Sequence, residues 1–151
     1  MTLELELPEV EIIRYALDRE VAGRKVKTVE AASMAVLGRY RNRKQFASAV
    51  EGRKLGAVRR IGLLLVTELE GEDLLVIRPG AGATIRRHAA RDAVAPGTEL
   101  TITFTVGGQV RLIDPGGASE ACVIAGGELM AEFPELASLG MDPAGEMNPW
   151  T

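Results

Sequence analysis

The sequence carries one cysteine, Cys122, and one histidine, His88, in 151 residues. A single thiol excludes an internal disulfide and any four-cysteine zinc site. One imidazole beside it is too few to complete a nitrogen-and-sulfur zinc site within this chain, so no zinc, other metal or cofactor is expected. No apolar run approaches the roughly 18–20 residues of a membrane-spanning helix. Glu4 and Glu6 stand where a secretory signal would be basic, so the expected location is the cytoplasm, with no membrane partner. Lys and Arg are absent after Arg111, although seven acids lie between Asp114 and Glu146.

What is present reads as one soluble globular domain, 46% hydrophobic and 26% charged. A chain of about 150 residues buries roughly 68–70% of its unfolded surface, so it needs no covalent staple. The net charge of −3 argues against a simple nucleic-acid binder only as an average. Residues 35–91 hold twelve Lys and Arg against five acids. A basic middle with an acidic tail either meets a polyanion in one place or is an unevenly charged solvated surface.

Pro8, Glu9 and Glu11 with the apolar set Val10, Ile12, Ile13, Ala16, Leu17 and Val21 predict an amphipathic helix that Gly23 ends. Residues 25–37 read as a strand. Asn42 is the expected cap of a second short helix, 43–50, with Phe46, Ala49 and Val50 inward. Six short β runs follow, at 54–60, 63–70, 74–78, 99–106, 109–113 and 121–125, separated by Gly and Pro turns. Gly107-Gly108 predicts a two-residue hairpin, and Arg86, Arg87, His88 and Arg91 read as an exposed loop. Cys122, inside an apolar run, reads as a small core residue. The class is α+β, mainly β: an antiparallel β-sandwich with a long N-terminal helix and a second short helix.

Several of these residues, taken in order, resemble one family. Leu7-Pro8-Glu9-Val10-Glu11, Ile13-Arg14 and Val21-Ala22-Gly23-Arg24-Lys25-Val26 are similar to the opening of formamidopyrimidine-DNA glycosylase and endonuclease VIII (the Fpg/Nei family). Phe46, Gly52-Arg53, Val58-Arg59-Arg60-Ile61-Gly62, Asp114-Pro115 and Leu139-Gly140-Met141-Asp142-Pro143 continue the register. The resemblance implies that residues 1–140 form an Fpg N-terminal-like domain and 141–151 a C-terminal tail or linker remnant. The helix–two-turn–helix and zinc-finger parts of the family are expected to be absent. It also implies base-excision repair ancestry. In that family an N-terminal proline amine attacks C1′ of a damaged nucleotide, and a glutamate serves as general acid and base. A hairpin lysine holds phosphate, and Met, Arg and Phe fill the space left by the flipped base.

Aligned this way, the sequence departs from the family where the chemistry lies. Leu5 falls on the nucleophilic proline and Leu63 on the hairpin lysine. Ala81 falls on the intercalating Met, and Gly116-Gly117-Ala118 on the two arginines and the phenylalanine of D-P-R-R-F-G. Glu6 falls on the catalytic glutamate. The expectation is a catalytically degenerate homologue with at most weak DNA binding through Arg39, Arg41, Arg43, Arg59, Arg60 and Arg78. Arg39, Arg41 and Arg43 stand at alternate positions around Tyr40 and could face a phosphate backbone if extended. A rival is a protein-interaction or dimerisation module that presents Leu63, Ala81 and Ala118 to a protein partner or a second copy. A third is a glycosylase and abasic-site lyase working through the Thr2 amine exposed once Met1 is removed, beside Glu6, with a separate second domain. Glu6 with Glu9 or Glu11 is either a carboxylate pair or a set of charges at a helix N-terminus.

Overall fold

The structure is a computed structural model that describes residues 7–32, 35–37 and 42–128. Among the described residues two α-helices and eight strands follow in the order α1 (Leu7–Val21), β1 (Val26–Ala31), α2 (Arg43–Val50), β2 (Leu55–Ile61), β3 (Leu64–Leu69), β4 (Asp73–Arg78), β5 (Thr84–His88), β6 (Thr98–Phe104), β7 (Gln109–Ile113) and β8 (Glu120–Ala125). The strands form two four-stranded antiparallel sheets, β1-β6-β7-β5 and β2-β3-β4-β8. We call them sheet one and sheet two.

Burial at alternate positions builds the space between the sheets. Leu100, Ile102 and Phe104 of β6 point inward with Val110 and Leu112 of β7, and they meet Leu65, Leu75, Ile77 and Ala121 of sheet two. The helices close the two open sides. α1 lies along the edges formed by β2 and β5, and α2 along those of β1 and β8. Leu17, Val21, Phe46 and Val50 enter the same core. α2 begins as its sequence requires, with the Asn42 side chain accepting the Gln45 N–H at 2.8 Å. The predicted sandwich with a long first helix and a short second one is the observed fold.

Three local expectations are corrected. Within 25–37 the strand ends at Ala31, and Ala35–Leu37 form a 3₁₀ turn whose Val36 and Leu37 are both buried, so the alternation does not continue. Arg86, Arg87 and His88 are not a loop but most of β5, paired with β7 from Thr84↔Ile113 to His88↔Gln109. Only Ile85 of this strand is buried, and its charged residues masked the β signal. The hairpin between β6 and β7 is longer than two residues. The Phe104 N–H reaches the Gly108 carbonyl at 2.9 Å, leaving residues 105–107 as the loop. Gly107 and Gly108 both have positive φ (103° and 85°), which is why the turn needs glycines.

Candidate nucleic-acid interface

Strand register gathers the informative loops at one end of sheet two. Ile61 pairs with Leu64 across the β2–β3 turn, Leu65 with Ile77, and Arg78 with Glu120. The turn at Gly62-Leu63, the β4–β5 loop after Arg78 and the β7–β8 loop before Glu120 therefore share that end. α1 is tied to it by an arginine. Arg60 Nε donates to Glu11 Oε1 at 3.0 Å and its Nη1 to the Gly62 carbonyl at 3.2 Å. Glu11 Oε2 also receives Arg14 Nη2 at 2.7 Å. The Arg14 hydrogen bond, opposed by partial burial and helped by Arg60, holds the Glu11 carboxyl below its usual range. Glu11 is thus a structural acid joining helix to strand.

The two other loops are locked together from beneath. Asp114, 1% exposed, accepts Gly116 N–H at 3.1 Å, Ala118 N–H at 3.0 Å and the Ser119 hydroxyl at 2.6 Å. Ser119 Oγ in turn accepts the Gly80 N–H at 2.9 Å, crossing from one loop to the other. The approach is close enough to require glycine. A Cβ at position 80 would lie 2.7 Å from Asp114 Oδ2 and 2.8 Å from the Ala118 Cβ. Above this buried network the exposed tips are Ala81, Gly82, Pro115, Gly116, Gly117 and Ala118. They carry neither charge nor a large side chain.

The expected cations are placed unequally. Arg59 is exposed and 3.8 Å from Glu68, whereas Arg60 is half-buried and held by Glu11 and Gly62. Arg78 ends β4 opposite Glu120, at the end where the loops gather. Arg43 is exposed, and its Nη1 donates to the Ala31 carbonyl at 3.1 Å. Thr2, Glu6, Arg39 and Arg41 lie outside the described residues. The basic balance of residues 35–91 is also softened in space. Arg53 pairs with Asp73 at 2.6 Å, and Glu11 and Glu20 of α1 reach Arg60 and Arg87. His88 sits half-buried on β5, its Nδ1 3.7 Å from Asp92 and its Nε2 without a hydrogen-bond partner among the described residues.

Residues 5–119 match the sequence profile of the formamidopyrimidine-DNA glycosylase N-terminal domain. The chain belongs to the formamidopyrimidine-DNA glycosylase family. Its relatives include the formamidopyrimidine-DNA glycosylases of Azorhizobium caulinodans, 28% identical over 93% of this chain and 51% of that protein, and of a Nocardioides species, 30% identical over 91% and 48%. The chain therefore spans about half the length of these relatives. Among solved structures, Lactococcus lactis formamidopyrimidine-DNA glycosylase bound non-covalently to abasic-site DNA has the same fold, with a TM-score of 0.78 and 23% identity over 87% of this chain and 49% of that one. MutM in complex with DNA containing carbocyclic 8-oxo-G gives the same TM-score and identity.

Sequence reasoning treated Asp114-Pro115 as a landmark and missed what Asp114 does. The signal was there: an acid that opens a Pro-Gly-Gly turn behind a strand is placed to accept that turn's own N–H groups. Arg111 was passed over as well. It is 1% exposed, and its Nε donates to Gln109 Oε1 at 2.7 Å. Its other nitrogens reach the carbonyls of Ala93 at 3.0 Å, Asp92 at 2.9 Å and Ala89 at 3.4 Å. One buried guanidinium thereby fastens the loop between β5 and β6.

Proposed function

We propose that this chain is a catalytically degenerate N-terminal domain of its family, with at most weak, salt-sensitive contact with DNA and no glycosylase chemistry of its own. One contrast supports the reading. At the gathered end of sheet two the supports are complete, from the half-buried Glu11–Arg60–Gly62 to the buried Asp114–Ser119–Gly80. The side chains those supports hold up are Leu63, Ala81 and Gly116-Gly117-Ala118. None of them can hold a phosphate, fill a vacated base position or carry a proton. Leu5, on the family's nucleophilic position, offers only an amide nitrogen, which cannot form an iminium.

Weak binding follows from the same inventory. Sequence-independent affinity grows with the number of phosphates neutralised. Arg60 is already committed to an acid, and Arg59 stands near one. The test is titration of labelled duplex at two salt concentrations. With three phosphate contacts, affinity falls about 40-fold between 50 and 200 mM salt. Binding that is insensitive to salt contradicts the proposal.

The exposed Ile12 and Tyr15 of α1 favour a second reading, a protein-contact surface. Leu63 does not contribute to it, because that side chain is partly buried against the core. Ala81 and Ala118 offer little apolar area. Concentration-dependent light scattering that Tyr15→Ala abolishes would favour this reading over DNA.

A further inference from the structure

The arginines of β5 and of the loop after it lie away from the gathered end of sheet two. Ile85 points into the core, so Arg86 faces outward on sheet one while Arg87 turns toward α1. Arg87 is engaged there, 2.6 Å from Glu20, with its Nη1 on the Gly107 carbonyl at 3.2 Å. Arg86 and Arg91 are exposed, and among the described residues their side chains meet no acid, carbonyl or ring. Every other described arginine has a partner, most of them an acid or a backbone carbonyl.

A third cation lies beside Arg86 in the sheet. Arg86 pairs in register with Arg111, and the two side chains share the outer face of sheet one. Like charges at directly opposed positions destabilise an antiparallel pair. Arg111 is 1% exposed, and its bonds go to Gln109 and to the carbonyls of Ala89, Asp92 and Ala93, none to an acid. A buried guanidinium bonded only to neutral groups keeps its full charge, and low-dielectric surroundings screen it little. The same bonds pin the loop on both sides of Arg91, so the two exposed guanidiniums stand on a fixed base.

The acids of this face do not answer them. Asp92 accepts the Ala89 N–H at 2.9 Å and has Nδ1 of His88 at 3.7 Å. Glu30 shares a row with Arg86, but Thr101 and Arg111 stand between them. Three strand spacings amount to about 14 Å. That exceeds the screening length of about 8 Å at physiological salt. The β5 side of sheet one therefore carries positive charge that an external anion can neutralise, and planar guanidiniums match phosphate oxygens.

We propose that Arg86 and Arg91, beside the buried Arg111, contact the phosphate backbone of duplex DNA on a face apart from the gathered end of sheet two. The weak DNA contact proposed above, on which this assignment rests, then runs through a charged face of sheet one, where the uncharged loop tips of sheet two offer none. Such a contact positions DNA without reading its sequence.

Labelled duplex titrated with the full chain between 50 and 200 mM salt counts the phosphates neutralised, each adding about 0.9 to the slope of log affinity against log salt. Arg86→Gln with Arg91→Gln removes two contacts and is expected to lower that slope by about 1.8. Both side chains are exposed, so this variant is expected to keep the far-UV circular dichroism of the parent. Lys44→Ala with Lys54→Ala removes the same charge from exposed sites elsewhere and is expected to keep the parent slope. An unchanged slope in the glutamine variant, or an equal fall in the alanine one, overturns the assignment and leaves the DNA reading standing. No binding by the parent at 50 mM salt removes the DNA reading and the assignment together.

Discussion

The Ser119 hydroxyl donates a 2.6 Å hydrogen bond to the Asp114 carboxylate, and both residues are buried. Because Ser119 also accepts the Gly80 N–H, one hydroxyl holds two loops at a fixed separation. Removing the carboxylate leaves two N–H groups and a hydroxyl without their acceptor. Asp114→Ala is therefore expected to cost about 2–4 kcal/mol, and Ser119→Ala about 1–2 kcal/mol, in urea unfolding at neutral pH. Equal and negligible losses would mean that the network does not support the loops.

Arg111 makes a similar prediction on the other sheet. Its guanidinium is spent on carbonyls of Ala89, Asp92 and Ala93 and on Gln109, and no described acid pairs with it. Arg111→Met keeps the apolar volume and strands those carbonyls, at a cost of about 2–3 kcal/mol. Protease cleavage should then appear within 89–97 before global unfolding. Cleavage first at another site would contradict this role.

Glu11 sets a pH dependence. Its carboxyl is held below the ordinary value of 4.5, chiefly by the Arg14 hydrogen bond, with burial opposing and Arg60 adding. A depressed folded-state value means that the ionised group adds stability above 4.5 and loses it as pH falls through the folded value. The pair is well exposed, so Glu11→Gln should cost only about 0.5 kcal/mol at pH 7, a difference that shrinks as the pH is taken progressively below 4.5. A pH-independent difference would mean that packing, not charge, accounts for the loss.

Leu63 tests the DNA reading by gain rather than loss. It occupies the tip of the β2–β3 hairpin, half-buried, at the end where the loops meet. If that end faces phosphate, Leu63→Lys adds one contact and steepens the slope of log affinity against log salt by about 0.9. An unchanged slope would place the phosphate contacts elsewhere on the chain.

Much of the fold was legible because its periodic signals were clean. β6 alternates partly exposed and buried residues from Glu99 to Phe104, and Asn42 caps α2 as its side chain demands. β5 was not legible. Its Arg86, Arg87 and His88 need only backbone pairing with β7, which composition does not advertise. The two-faced apolarity of β3 and β4 was visible as continuous runs but had no meaning until the core face was known. At the candidate site, sequence supplied the positions, whereas the Gly80–Ser119–Asp114 link depended on two loops 39 residues apart meeting. The basic middle was legible only as a sum. Glu11 and Glu20 approach it from α1, so charge along the chain overstated charge in space.

In the proposed function the family's scaffold is retained without its covalent chemistry. Borohydride trapping on duplex DNA containing an abasic site tests it most directly, since a Schiff base between any amine of the chain and C1′ becomes permanent on reduction. No adduct above that of an unrelated protein of equal lysine content is expected. A stoichiometric adduct whose mass maps to Thr2 would contradict it and restore the chain to the family's enzymes.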